Sequence, residues 1–133
     1  MSQPRQRHRI ISTSSKGLRI ANYTPAKAPV NVWKAAVQLA ASEAYTGPLL
    51  EGPVALEVDF FFQRPQRLVW KKRPMSRAWH VAKPDLDNTI KAIKDSLKGI
   101  IWRDDAQVSQ LAACKWYAAG DEKPRTVVRI RGL

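Results

Sequence analysis

Apolar and polar positions alternate through Pro53 to Phe62, where Val54, Leu56, Val58, Phe60 and Phe62 share one parity. That period of two predicts a β-strand with one buried face, and Phe61 predicts partial cover on the other. Between Pro29 and Ala44 the apolar positions Val30, Trp33, Val37 and Ala41 recur at helical spacing instead. Pro29 suits the first turn of that helix, and Gly47-Pro48 lies beyond its end. Leu86, Ile90, Ile93 and Leu97 form a second helical stripe, closed by Gly99. Ala106 to Tyr117 and Arg125 to Arg131 read as two strands, with Gly120 and Pro124 in the hairpin loop between them. A short strand is expected around Arg9 to Ile11, ahead of a mobile, basic, serine-rich stretch that runs to Thr24. Gln63 to Lys83 is long, basic and punctuated by proline, the character of a functional loop. The order β-α-β-α-β-β predicts an α+β fold: a single domain, 1–133, with a small mixed sheet and its helices packed on a face.

Composition narrows the class. With 133 residues the chain fits one domain, and its hydrophobic fraction of 44% argues against a disordered polycation. No apolar run reaches the ~20 residues of a membrane span, and the first thirty or so positions lack the apolar core of a signal peptide. A cytoplasmic protein is therefore expected, with no membrane partner. The lone Cys114 excludes a disulfide framework or a cysteine-based zinc cage. Lys and Arg number 23 against 11 acids, a net charge of +12 that favours a polyanionic partner.

The charge is segregated. Met1 to Ser42 and Phe61 to Pro84 each carry seven bases and no acid, whereas Asp85 to Asp105 holds five acids. Carboxylates repel phosphate unless a divalent cation mediates between them, so an acidic island in a basic chain points to such a site. The alternative is an ordinary solvated helix with acids in its first turn. Asp85 and Asp87 fall at the entrance of the second predicted helix, with Lys91 one turn after Asp87. Asp104 and Asp105 follow Gly99 by a short apolar stretch, which is expected to run back along the helix and bring the second acidic pair near the first. Taken singly, each piece has a plainer reading: Asp-x-Asp and Asn88 as caps, Asp104-Asp105 as a turn, Lys91 as the helical partner of Asp87.

Taken together, Lys83-Pro84-Asp85-Leu86-Asp87-Asn88, then Lys91, Asp95 and Gly99, then Trp102-Arg103-Asp104-Asp105-Ala106-Gln107-Val108, resemble the RusA family of Holliday-junction resolvases. A looser likeness covers most of the chain. One departure is the polar Gln3 to Arg9, where family members usually carry a longer apolar strand. The resemblance implies a bacterial or phage crossover-junction endodeoxyribonuclease. It would be a homodimer that binds four-way DNA and nicks two strands symmetrically with magnesium, or manganese in its place, and needs no small-molecule cofactor. The family's metal-holding catalytic aspartates would fall on Asp85, Asp87 and Asp105, and its functional lysine on Lys91.

Lys71, Lys72, Arg73, Arg77 and Lys83 are the candidate phosphate contacts, which confer affinity without sequence preference. Trp70 and Trp79 lie among these bases and admit two readings, stacking on unpaired bases or packing over the sheet as anchors. Trp33 is expected in the core, Cys114 as a small buried hydrophobe, and His8 and His80 carry no metal site. Two other functions stay open: a non-catalytic branched-DNA or RNA binding module, and a nuclease that prefers forks or flaps.

Overall fold

The computed structural model describes residues 17–23, 28–64 and 75–133. The strand expected around Arg9 to Ile11 lies outside them. In chain order the elements are β1 (Leu18–Asn22), α1 (Val30–Ala44), β2 (Val54–Phe62), β3 (Ala78–Trp79), α2 (Leu86–Leu97), a 3-10 turn at Asp105–Gln107, β4 (Val108–Tyr117) and β5 (Arg125–Gly132). The five strands form one sheet in the order β1-β5-β2-β4-β3. β2 and β4 are parallel, and the other pairings are antiparallel. The mixed α+β sheet is as expected, with β1 and β3 as additions to the predicted order; the expected hairpin of the last two strands is not formed, because β2 lies between β4 and β5 and pairs with both.

Each helix buries the stripe its sequence marks. Trp33, Val37 and Ala41 of α1 and Ile90, Ile93 and Leu97 of α2 sit in one core with Val54, Leu56, Val58, Phe60 and Phe62 of β2. Ile20, Val128 and Ile130 complete it from β1 and β5. Ser96 is buried among them because its hydroxyl donates to Ala92 O at 2.7 Å, which removes the cost of an unpaired polar group. Gly99 takes φ +84° after α2, a conformation that L side chains resist.

Among the described residues, the opposite face of the sheet carries no helix. Its cover is local: Phe61 is buried against Trp116, Ala118 and Val127. Arg77 and Arg125 lie 4.6 and 4.0 Å from the Phe61 ring centroid. Glu122 holds both cations, with Arg77 engaging the carboxylate at 2.6 to 3.1 Å and Arg125 at 3.1 Å. The bonds from Arg77 dominate, and with the Ala119 N–H and Arg125 they lower the Glu122 carboxyl to about 2. The stabilisation is therefore whole above the ordinary value of 4.5 and is lost as pH falls from there towards about 2. Discounted for the partial exposure of Arg77, the latch contributes about 1–2 kcal/mol. Glu122→Gln should lower the unfolding free energy obtained from urea titration by that amount at pH 7 and much less at pH 3. An equal loss at both values would show that the ion pair is not the cause.

Candidate functional site

Asp85 is the N-cap residue of α2, yet its side chain makes no capping bond. The Thr89 hydroxyl donates to Leu86 O at 2.8 Å, a bond within the first turn that does not involve the Asp85 carboxylate. The Asp85 carboxylate is thus free to face solvent, with Lys83 Nζ 3.9 Å away. Asp87 stands exposed in the first turn, and Lys91 is exposed one turn later. The helix entrance is pinned from β4: Lys115 Nζ donates to Ala82 O at 2.8 Å and to Pro84 O at 2.7 Å. Nothing in the charge pattern marks Lys115 out, although a lysine at a strand position of core parity is the available signal.

Asp104 and Asp105 serve different ends. Asp104 Oδ1 accepts from the Ala106 N–H at 3.1 Å, and Gln107 Oε1 accepts from the Arg103 and Asp104 N–H groups at 2.9 Å. This is a capping box that closes the 3-10 turn. Gln107 also donates to Leu50 O and Gly52 O, which ties the turn to the start of β2. Asp105 Oδ1 accepts instead from the indole Nε1 of Trp102 at 3.0 Å. Trp102 is fully buried, so it fixes the direction of that carboxylate.

The two acidic pairs do not meet. Ile100 to Trp102 fold under the end of α2, where Ile101 N–H donates to Leu97 O, Gly99 N–H to Trp102 O, and Leu50 N–H to Ile101 O. The expected return run is therefore not made by residues 100–104. It is made by β4, which starts beside Asp105 and reaches Lys115, at the Asp85 end, after seven residues or ~23 Å. Asp85 and Asp105 accordingly stand at opposite ends of α2, itself ~18 Å long. Among the described residues no group of three or more His, Cys, Asp or Glu is placed to hold a metal ion. Ile101 and Trp102 enter the core instead of extending back, so residues 100–104 do not themselves carry Asp105 to Asp85 and Asp87.

Of the expected phosphate contacts, Lys71, Lys72 and Arg73, with Trp70, lie outside the described residues. Arg77 is bound to Glu122 over Phe61, and the Lys83 side chain is 89% exposed beside Asp85. Trp33 is in the core as expected, and His80 is buried between Phe62 and Tyr117. Cys114 is only half-buried, on the helix-free face, where desolvation and then Asp59 and Glu57 push its thiol up. Trp79 lies on that face too, stacked on Trp116.

Among the described residues, the outer edge of β4 is unpaired along most of its length. β3 pairs only with Trp116 and Tyr117, and His80 N–H donates to Lys115 O. Since Lys115 presents its carbonyl outward, strand alternation aims the backbone groups of Ala113 and Leu111 outward as well. Val108 to Cys114 contains no charged residue, and Leu111 is 48% exposed. Natural edge strands usually carry charge or proline to prevent pairing; between Val108 and Cys114 this one carries neither.

The family described as Endodeoxyribonuclease RusA matches residues 1–131. A Bacillus subtilis (strain 168) protein, the uncharacterized protein YqaN, is 34% identical over 112 residues, 80% of this chain and 75% of its own. A protein of Lactococcus phage r1t named crossover junction endodeoxyribonuclease rusA is 33% identical over 79 residues, 59% of this chain and 53% of its own.

Proposed function

The chain belongs to the RusA endodeoxyribonuclease family, and from that premise we propose that it is a divalent-cation-dependent endonuclease that resolves four-way DNA junctions by paired nicks. It works as a homodimer, each site drawing Asp85 and Asp87 from one protomer and Asp105 from its partner. The observation that carries this reading is the placement of the acids at the two ends of one open strand edge. A two-fold axis through Leu111 pairs β4 with the partner's β4 in antiparallel fashion. Each 3-10 turn then lies beside the partner's Lys115 and Pro84, and so beside the mouth of its α2.

Among the described residues no three acids of one chain are grouped for a cation; in the proposed pair, three carboxylates would offer the hard oxygen donors that magnesium or manganese takes. When bound, such an ion polarises a phosphodiester and activates water for attack. This chain's own residues do the rest. Trp102 holds Asp105 in direction, Lys115 holds the Asp85 loop in place, and Lys91 offsets charge that gathers on the phosphoryl oxygens. Lys83 and the basic run Lys71, Lys72 and Arg73 contact phosphates. Arg77 adds its charge to the same field while bound to Glu122. Two sites related by a two-fold axis suit two nicks on a two-fold junction.

The test is cleavage of a synthetic four-way junction during a magnesium titration. Asp85→Asn keeps the shape and loses the charge, so nicking should fall on the order of a thousandfold while junction binding persists. Full cleavage by Asp85→Asn would remove the proposed site. A wild-type protein that binds junctions and yields no nick at any magnesium concentration is a binding module, not a nuclease.

A further inference from the structure

Trp79 is held rigidly and yet left open. Its ring is 63% exposed, with its centroid 4.2 Å from that of Trp116 and the planes 16° apart. Trp116 is itself fixed, since its Nε1 donates to Asp59 Oδ1 at 3.0 Å, and Arg129 lies 3.6 Å from Asp59 Oδ2. Backbone pairing of Trp79 with Trp116 and the His80 N–H bond to Lys115 O hold the segment from behind. One face of the Trp79 indole is therefore covered by a pinned aromatic, and the other is offered to solvent. Cover over Trp116 accounts for one face of the indole and leaves the exposed face unexplained.

Its position suggests its use. Trp116, beneath Trp79, and Lys115, which holds the entrance of α2, are consecutive residues of β4. Consecutive strand residues point to opposite faces, so the indole and the Asp85 carboxylate flank the same strand end. Lys83, almost wholly exposed, lies between them in the chain. We propose that the open face of Trp79 is a stacking platform for one unpaired nucleobase of the strand whose phosphate lies at Asp85. The inference rests on the branched-DNA reading above and deepens it: a base inside an intact duplex is already stacked on both sides, so only a branch point supplies an occupant. Every base has a π-face, so the platform selects for unpairing and not for sequence.

Two variants of the full chain separate stacking from packing. Trp79→Phe keeps a π-face, and Trp79→Leu keeps apolar cover over Trp116 without one. Binding is measured in chelator, so that no cleavage intervenes, on a four-way junction and a linear duplex of matched length at one salt concentration. Trp79→Leu should weaken junction binding roughly tenfold to a hundredfold, with duplex binding unchanged and Trp79→Phe near wild type. A 2-aminopurine placed beside the branch point should fluoresce several-fold more brightly in the Trp79→Leu complex than in the wild-type complex. An unchanged junction-to-duplex ratio in Trp79→Leu overturns the platform and leaves the nuclease reading intact. Conversion of Trp79→Leu to a monomer overturns it as well, since the ring would then be a subunit contact. A wild-type protein with no preference for junctions removes both readings.

Discussion

Mixing the Asp85→Asn and Asp105→Asn proteins restores junction nicking that neither has alone. The result follows from where the acids stand. In a heterodimer of the two variants, one composite site combines both substitutions and is dead. The other combines the unaltered Asp85 and Asp87 of one protomer with the unaltered Asp105 of its partner. Random exchange makes half the dimers heterodimeric, so activity should recover to about a quarter of wild type. The recovered product carries a single nick, because only one site per dimer works. Sites confined to one chain predict the opposite, since each protomer of the mixture would still lack a ligand. The measurement is a supercoiled cruciform assay that separates nicked circles from linear product, with the variants co-refolded to ensure exchange. Persistent inactivity of a mixture shown to contain heterodimers would refute the shared site.

Leu111→Glu separates the protomers and abolishes cleavage together with dimerisation. Leu111 lies on the proposed axis, so the substitution sets two like charges against each other while removing two half-exposed apolar side chains from the interface. Lost burial and repulsion together come to about 3 kcal/mol, a dimer constant roughly a hundredfold weaker. The isolated protomer should keep its melting temperature, because the core on the helical face excludes Leu111. Sedimentation across a concentration series reads the association, and nicking should follow the dimer fraction. A monomer that nicks normally, or a Leu111→Glu dimer as tight as wild type, would dismiss the β4 edge as the interface.

The long periodic elements were legible in the sequence because one physical term dominates each. β2 alternates over its nine residues, and the apolar stripes of α1 and α2 fall once per turn. β1 and β3 were not legible. Leu18 to Asn22 has only Leu18 and Ile20 to mark its parity beside Gly17, and β3 is two residues held by pairing with β4. The parts of the site are legible in the sequence and their assembly is not. The spacing of Asp85, Asp87, Lys91 and Asp105 is visible, whereas the course of Ile100 to Trp102 is set by the core. Apolar side chains of that size enter a core when one is near, and Ile101 and Trp102 did. The separate duty of Asp104 was open to reading, because Asp104-Asp105-Ala106-Gln107 has the spacing of a capping box. Trp79 and Trp116, far apart in sequence, form a stack that only the β3–β4 register creates.

The placement of β2 bears on how the protein is made. Both of its neighbours, β4 and β5, come from the last quarter of the chain, although β2 begins at Val54. A ribosome therefore exposes Phe60-Phe61-Phe62 well before any strand that can cover it has been synthesised. Nothing short of the segment ending at Gly132 supplies the antiparallel partner, so premature termination yields an insoluble fragment rather than a smaller folded domain. Slower translation lengthens that interval, and recombinant yield should depend on chaperone supply more than the stability of the finished fold would suggest.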